Sequence, residues 1–113
     1  MKTIRTTRHT REAFAVLHRT RDAQIATMTL APGASSGETK TNEHGWAEQW
    51  LYVVSGTGTA RVGTRSAKLA PGTLVVIGKH EPHRIRSGKR SRLVTLNLYV
   101  PPAYTPDGEP MKR

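Results

Sequence analysis

The sequence predicts an all-β domain, folded as a sandwich or a barrel. Glycine and proline interrupt the 113-residue chain at short intervals, and these residues mark tight turns. The runs between the turns are rich in Val, Ile, Leu and Thr, which favour strands. Many short strands separated by regular turn signals are typical of a β-sandwich or β-barrel. A chain of this length suits one compact domain.

Six runs carry the strand pattern most clearly. They are AQIATMTL, QWLYVVSG, TARVG, TLVVIG, HRIRS and RLVTLNLYV, which begin at positions 23, 49, 59, 73, 83 and 92. We expect the barrel to span residues 24–100, an N-terminal arm over residues 1–23 to pack on it, and a tail over residues 101–113 to wrap the surface or fray. Within the arm, residues 10–18 fit either a helical turn capped by Thr10 or a strand.

The run that starts at Gln49 has two distinct faces. Side chains alternate along a strand, so Gln49, Leu51 and Val53 share one face. Trp50 and Tyr52 share the other face, where we expect them to pack outside the barrel or in a subunit interface. The face that carries Gln49 is therefore predicted to point into the barrel.

The chain is strongly basic, with a formal net charge of +10. The densest group of positive charges consists of Arg84, Arg86, Lys89, Arg90 and Arg92. Such a group can be the electrostatic footprint of a nucleic-acid binder. The sequence has no helix-turn-helix pattern, zinc-finger spacing or aromatic RNA-binding motif, so we expect a solvated basic face and no nucleic-acid partner. Docking of an acidic partner to this face is the alternative.

Composition limits other classes of function. The chain has no cysteine, which excludes disulfides and thiolate metal sites. No run approaches the ~18 apolar residues of a membrane span, and the start MKTIRTTRHT lacks the apolar core of a signal peptide. We therefore expect a cytoplasmic protein with no membrane contact.

Polar side chains collect at the start of two predicted strands. Asn42 and His44 share one parity in TNEHGWAEQW, and His83 shares a face with Ile85 in HRIRS. A barrel that joins these strands would gather both histidines with Asn42 and Gln49. Two imidazoles can ligate a divalent metal. Alternatively, the four side chains satisfy one another as buried hydrogen-bonding groups.

The spacing of these residues resembles the first motif of the cupin superfamily. That motif runs Gly, about five residues, His-x-His, three or four residues, Glu, six residues, Gly. The stretch GETKTNEHGWAEQWLYVVSG is similar, with Gly37 and Gly56 at its ends. Asn42 stands at the first histidine position, His44 at the second, and Gln49 at the glutamate position.

The second cupin motif runs Gly, five residues, Pro-x-Gly, two residues, His, three residues, Asn. The stretch GTLVVIGKHEPHRIRS resembles it, with Gly72 at its start and His83 as the histidine. Gly78, His80 and Ser87 replace the proline, the second glycine and the asparagine. The two motifs together cover nearly the whole of the predicted barrel.

The resemblance implies a single-domain jelly-roll barrel that forms a homodimer through one sheet face and binds Fe, Mn, Ni, Zn or Cu. The residues at the metal-ligand positions are Asn42, His44, Gln49 and His83. Because two of them are amides, the site lacks its usual negative charge and is expected to be weak. A one-residue slip could turn Glu43 or Glu48 inward as a replacement ligand. Trp46, His80 and Asn97 are the further candidates for contact with a bound ligand.

Two classes of function follow from the resemblance. The first is a small cupin whose weak metal site, at His44 and His83, binds a small molecule for oxygenation or isomerisation. An enzyme of this kind would be a metal-dependent dioxygenase or an isomerase of sugars or keto acids. The alternative is a non-catalytic, metal-free module that binds or senses a small molecule. The sequence assigns no catalytic residue.

Overall fold

The computed structural model of the protein describes residues 1–36 and 45–111. These ranges hold nine β-strands and one 3-10 helix, Thr6–His9. The strands are β1 Phe14–Arg19, β2 Gln24–Leu30, β3 Ser35–Ser36, β4 Glu48–Ser55, β5 Gly58–Val62, β6 Arg65–Leu69, β7 Leu74–Ile77, β8 His83–Ser87 and β9 Leu93–Val100. No helix in this described part of the chain has the length and apolar character needed to cross a membrane.

The strands form two antiparallel sheets that face each other. The larger sheet has the order β1-β2-β9-β4-β7, and the smaller sheet has the order β3-β8-β5-β6. The chain passes repeatedly from one sheet to the other, as it does in a jelly roll. The all-β prediction is therefore confirmed.

Alternating side chains from the two sheets make the core. In β4, Leu51 and Val53 are fully buried, whereas Trp50 and Tyr52 are 41% and 44% exposed. This confirms the faces predicted for that strand. The main apolar cluster consists of Met28, Leu30, Leu51, Val53, Ala60, Leu69, Ile85 and Leu93. Both sheets contribute to it, so it lies between them.

The N-terminal arm contains a strand where the sequence left a helical turn as an alternative. Residues 14–19 form β1, which pairs antiparallel with β2. The short helix lies earlier in the chain, and Thr10 ends it as the C-cap residue instead of starting a helix. β6 was not among the predicted runs, because RSAKL is mostly polar and four of its five residues are exposed. It lies at the edge of the smaller sheet.

The C-terminal tail packs against the barrel over Ala103 and Tyr104. Ala103 and Tyr104 are buried. The Gln24 side chain accepts the backbone N–H groups of both residues and donates its Nε2 to the Tyr104 carbonyl at 2.7 Å. The Tyr104 ring also packs on Phe14 and Tyr99, with ring centroids 4.7 and 5.0 Å away. One buried glutamine thus replaces the water that these backbone groups lose.

Candidate functional site

The candidate site lies where β4 and β8 begin, on facing sheets. A backbone hydrogen bond of 2.7 Å joins the turns that precede the two strands, so both strands start at the same end of the barrel. Leu51 and Ile85 belong to one apolar cluster further along these strands. Gln49 and His83 each precede those core residues by two positions, and both are buried. They therefore face the interior from opposite sheets at one end of the barrel.

A chain of hydrogen bonds fixes the orientation of the Gln49 amide. The Thr95 hydroxyl donates to the Met28 carbonyl at 3.1 Å, so it must accept from its other neighbour. That neighbour is Asn97, whose Nδ2 donates to Thr95 at 3.0 Å. Asn97 then presents Oδ1, which accepts the Nε2 of Gln49 at 2.9 Å. Because a carbonyl can only accept, each donor in the chain is determined by the group before it.

The last group in this series of hydrogen bonds is Gln49, and its carbonyl oxygen is left over as an acceptor. Gln49 is only 3% exposed, and its Oε1 has no hydrogen-bond partner among the described residues. Buried polar atoms in folded proteins are nearly always paired with protein groups or water. An unpaired buried acceptor on an inward-facing side chain therefore marks a position where another molecule or ion can bind.

The ring of His83 is oriented by a contact with the loop that precedes β8. Its Nδ1 lies 3.2 Å from the backbone carbonyl of Glu81. The carbonyl accepts only, so Nδ1 carries the proton and, in the neutral ring, Nε2 carries the lone pair. A histidine that donates its other N–H to a backbone carbonyl is oriented as metal-binding histidines usually are. The inward face predicted for His83 is confirmed by its burial.

The loop between β7 and β8 is held by short polar contacts. The Glu81 carboxylate accepts the backbone N–H of Gly78 at 2.7 Å. His80 has a positive φ of 64°, and its backbone N–H donates to the Gly45 carbonyl. The His80 residue is exposed, so the structure places it on the outside of the loop. Its backbone fastens this loop to the turn that precedes β4.

The other predicted site residues fall into three groups. Asn97 is buried and bonded to Gln49, and Trp46 is partly buried against the apolar cluster around Tyr99. Glu48 accepts a hydrogen bond of 2.6 Å from the indole N–H of Trp50 on the outer face of β4, so the slip that would turn it inward does not occur. Three further candidates, Asn42, Glu43 and His44, lie outside the described residues.

The donor atoms that the described residues Gln49 and His83 can offer a metal are neutral. Among the residues that the structure describes, no three His, Cys, Asp or Glu side chains come close enough to hold an ion together. His83 offers an imidazole nitrogen, and Gln49 offers an amide oxygen. One such pair fits a divalent first-row ion that is held loosely and completed by water or other ligands.

Sequence reasoning missed the two groups that orient the site. Thr95 fixes the direction of the hydrogen-bond chain, and the Glu81 carbonyl fixes the ring state of His83. The signal for Thr95 was present, since it lies two positions before Asn97 in the run RLVTLNLYV and shares its face. The Glu81 contact depends on the loop conformation, which residue types alone do not specify.

The outer face of the larger sheet carries a continuous apolar patch beside the site. Register places Leu98, Trp50 and Val76 in one row across β9, β4 and β7, and Leu96, Tyr52 and Leu74 in the next. Leu74 and Val76 are more than half exposed. A patch of this kind on a sheet is typical of a protein interface. We call these six residues the apolar patch.

Comparisons with known proteins agree with this architecture. The family profile described as Cupin domain matches residues 26–99, which confirms the predicted resemblance. A Bacillus halodurans protein, BH2720, superposes with a TM-score of 0.77 at 20% identity, over 93% of this chain and 80% of that one. TT1209 from Thermus thermophilus superposes with a TM-score of 0.70 at 25% identity, over 79% of this chain and 82% of that one. A predicted oxalate decarboxylase from Thermotoga maritima superposes with a TM-score of 0.63 at 21% identity, over 73% of this chain and 69% of that one. No curated protein matches the chain.

Proposed function

Because the chain belongs to the cupin family, we propose that it binds a small molecule inside the barrel, at the end formed by Gln49 and His83. The unpaired Oε1 of Gln49 carries this proposal. A buried acceptor without a donor costs about 1–3 kcal/mol. A ligand hydroxyl or amine that donates to this oxygen removes that cost, whereas an apolar ligand does not.

The direction of the hydrogen-bond chain supports a ligand that donates. Gln49 donates its Nε2 to Asn97, which leaves its oxygen as the acceptor that has no partner among the described residues. The unpaired Gln49 oxygen suits a molecule that donates through hydroxyl groups, such as a sugar or a hydroxy acid. The ligand class that we propose is therefore a small hydroxylated metabolite.

A weak divalent-metal site at the same place is the second candidate. The ring state of His83 favours it, because Nδ1 is bonded to a carbonyl and Nε2 carries no proton in the neutral ring. His83 and Gln49 would hold the ion, and His44 and Asn42 complete the proposed ligand set. Such an ion would act as a Lewis acid toward a substrate oxygen in oxygenation or isomerisation. The chain's own residues would orient that substrate through the Gln49–Asn97 pair.

Titration calorimetry on metal-stripped protein separates the two candidates. We expect saturable binding of a panel of simple sugars and glycolate. We expect no binding of oxalate, which at neutral pH accepts hydrogen bonds but donates none. Oxalate is chosen because one structural neighbour is described as a predicted oxalate decarboxylase. Oxalate binding that appears only after Ni²⁺ is added would support the metal candidate.

Matched variants assign the binding to the site. Gln49→Leu and His83→Ala should each weaken binding of the probes by at least about tenfold. His18→Ala, which removes an exposed imidazole on β1, should leave binding unchanged. Probe binding that survives Gln49→Leu at full strength overturns the proposal.

We also propose that the protein is a homodimer assembled through the apolar patch. The patch is self-complementary in character, and an isologous contact between two copies would cover it on both. Trp50 and Tyr52, which the sequence placed on this side, lie at its centre. The cytoplasmic location expected from the sequence stays a prediction.

A further inference from the structure

The outer face of the smaller sheet carries only basic and hydroxyl side chains. β5 and β8 alternate in burial, with Ala60 and Ile85 turned inward. The residues of opposite parity therefore point outward from the four strands. We call them the basic face, and its members are Ser35, Thr59, Arg61, Ser66, Lys68, Arg84 and Arg86.

The register arranges these side chains in two rows across the sheet. The first row runs Ser35, Arg86, Thr59, Lys68 and the second runs Arg84, Arg61, Ser66. Arg61 and Arg84 lie directly opposite each other, an arrangement of like charges that destabilises a sheet. Neighbouring strands are about 4.8 Å apart and successive outward residues about 6.7 Å apart. The cations therefore form a dense two-dimensional array.

The four strands that carry this array contain no acidic residue. Between positions 49 and 106 the sequence holds nine Lys or Arg residues and one acidic residue, Glu81, which lies in the loop before β8. The ion pair between Arg21 and Asp22 lies outside the basic face. On the basic face, the Nε of Arg84 is buried and has no hydrogen-bond partner among the described residues. Arg86 is oriented by its own contact, since its Nε donates to the Ser35 hydroxyl at 3.2 Å.

We propose that the basic face binds the phosphodiester backbone of double-stranded nucleic acid without reading its sequence. Arg, Lys, Ser and Thr are the side chains that most often contact phosphate oxygens, and the face contains no other type. It has no aromatic side chain on which unpaired bases could stack. It has no apolar side chain to insert into a membrane. The sequence predicted no nucleic-acid partner because it shows no motif, and backbone binding of this kind requires none.

Salt-dependent binding of a fluorescent short DNA duplex to the intact protein tests the proposal. The logarithm of the binding constant should fall linearly with the logarithm of salt, by about 0.9 per phosphate neutralised. Four phosphate contacts correspond to a loss of about a hundredfold between about 50 and 200 mM salt. Neutralising the four cations, with Arg61→Gln, Lys68→Gln, Arg84→Gln and Arg86→Gln, should reduce the slope by about 3 to 4.

A control variant with the same change in net charge shows whether DNA binding depends on the basic face or only on the net charge of the protein. Exposed arginines of the N-terminal region are changed to Gln in the same number, namely Arg5, Arg8, Arg11 and Arg19. This control should keep most of the slope, and an equal loss in both variants overturns the proposal. Because Arg84 is partly buried, Arg61→Gln/Arg86→Gln serves as a second variant of two exposed residues, with an expected slope change of about 2.

Competing polyanions identify the partner class. Poly-L-glutamate at equal charge should displace the duplex poorly. Single-stranded DNA should bind no better than the duplex. Equal competition by poly-L-glutamate would assign the face to acidic polypeptides and would overturn the proposal. Stronger binding to phosphatidylserine vesicles than to duplex would assign the face to a membrane surface and would also overturn the proposal.

Discussion

The Nε2 of Gln49 donates to the Oδ1 of Asn97 at 2.9 Å, and this bond decides which end of the Gln49 side chain meets the barrel interior. Asn97 has no choice of orientation, because its Nδ2 is required by Thr95. Thr95 in turn must donate to the Met28 carbonyl. A backbone carbonyl thus controls, through three side chains, the acceptor that a ligand would meet. The glutamine at this position of the fold is an oriented hydrogen-bond acceptor.

Two isosteric substitutions in adjacent strands should have opposite effects on stability. Thr95→Val removes a hydroxyl that donates to Met28 and accepts from Asn97, so we expect a loss of about 1–2 kcal/mol of unfolding free energy. Thr27 is equally buried, but its Oγ1 has no partner in the described part of the chain. Thr27→Val should therefore raise the unfolding free energy by up to about 1 kcal/mol.

Chemical denaturation of both variants measures the difference. The two replacements have the same shape and similar burial, so packing changes cancel in the comparison. Equal losses for Thr95→Val and Thr27→Val would show that the hydrogen-bond chain does not hold the barrel as described.

Gly56 should be far less replaceable than Gly72, although both have a positive φ. A β-carbon at Gly56, at φ 85°, would collide with the carbonyl oxygen of Arg92, whereas one at Gly72, at φ 92°, meets nothing within 4 Å. We expect Gly72→Ala to cost about 1–2 kcal/mol for the backbone conformation alone. Gly56→Ala should cost about 3 kcal/mol or more. Thermal or urea unfolding checks this order, which similar losses at both positions would contradict.

Restoring the missing negative charge should convert the site into a stronger metal binder. Gln49→Glu places a carboxylate at the same end of the barrel as His83, which supplies the anionic oxygen that divalent ions prefer. We expect the affinity for Ni²⁺ to rise by about 10–100-fold over the unmodified protein. Glu48→Gln, a charge change on the outer face of the same strand, is the control and should have no effect. Calorimetry with Ni²⁺ measures both, and a Gln49→Glu protein that binds no more tightly would refute the metal candidate.

Charges in the apolar patch should separate the proposed dimer. Tyr52→Glu/Val76→Glu introduces two buried charges at a contact between copies, so we expect monomers at concentrations where the unmodified protein is dimeric. Thr64→Glu/Arg65→Glu adds acidic side chains to the exposed turn before β6 and to the first residue of that strand and should preserve the dimer. Sedimentation velocity reads out the mass. A monomeric unmodified protein would contradict the homodimer directly.

The fold was predictable because the strands obey simple alternation. Leu51, Val53 and Ile85 are buried, and Trp50 and Tyr52 are exposed, as the period of two requires. The strand β6 escaped prediction because it is an edge strand with little apolar content. The contact that attaches the tail escaped prediction because it depends on Gln24, which is 80 residues away from Tyr104 in the chain. Contacts at such separation follow from the folded structure and not from local residue types.

The candidate site was predictable in its members but not in its chemistry. Parity placed Gln49 and His83 inward, yet the sequence could not tell which atom of each side chain is presented. That depends on Thr95 and on the Glu81 carbonyl, which become neighbours only after folding. Asn97 had no assignable face from the sequence, because its run is apolar on both sides. Pairing with β2 and β4 resolves it.

The most direct measurement follows the side-chain amide of Gln49 by ¹H–¹⁵N NMR while hydroxylated small molecules are added to metal-stripped protein. The chain has only two glutamines, Gln24 and Gln49, so these signals are readily assigned by substitution. Gln24 is an internal reference, because its carbonyl oxygen is already occupied by the tail backbone. We predict a saturable shift of the Gln49 amide with at least one sugar or hydroxy acid and no shift of Gln24. An unmoved Gln49 across the panel, or equal shifts of both glutamines, would contradict a ligand site at this end of the barrel.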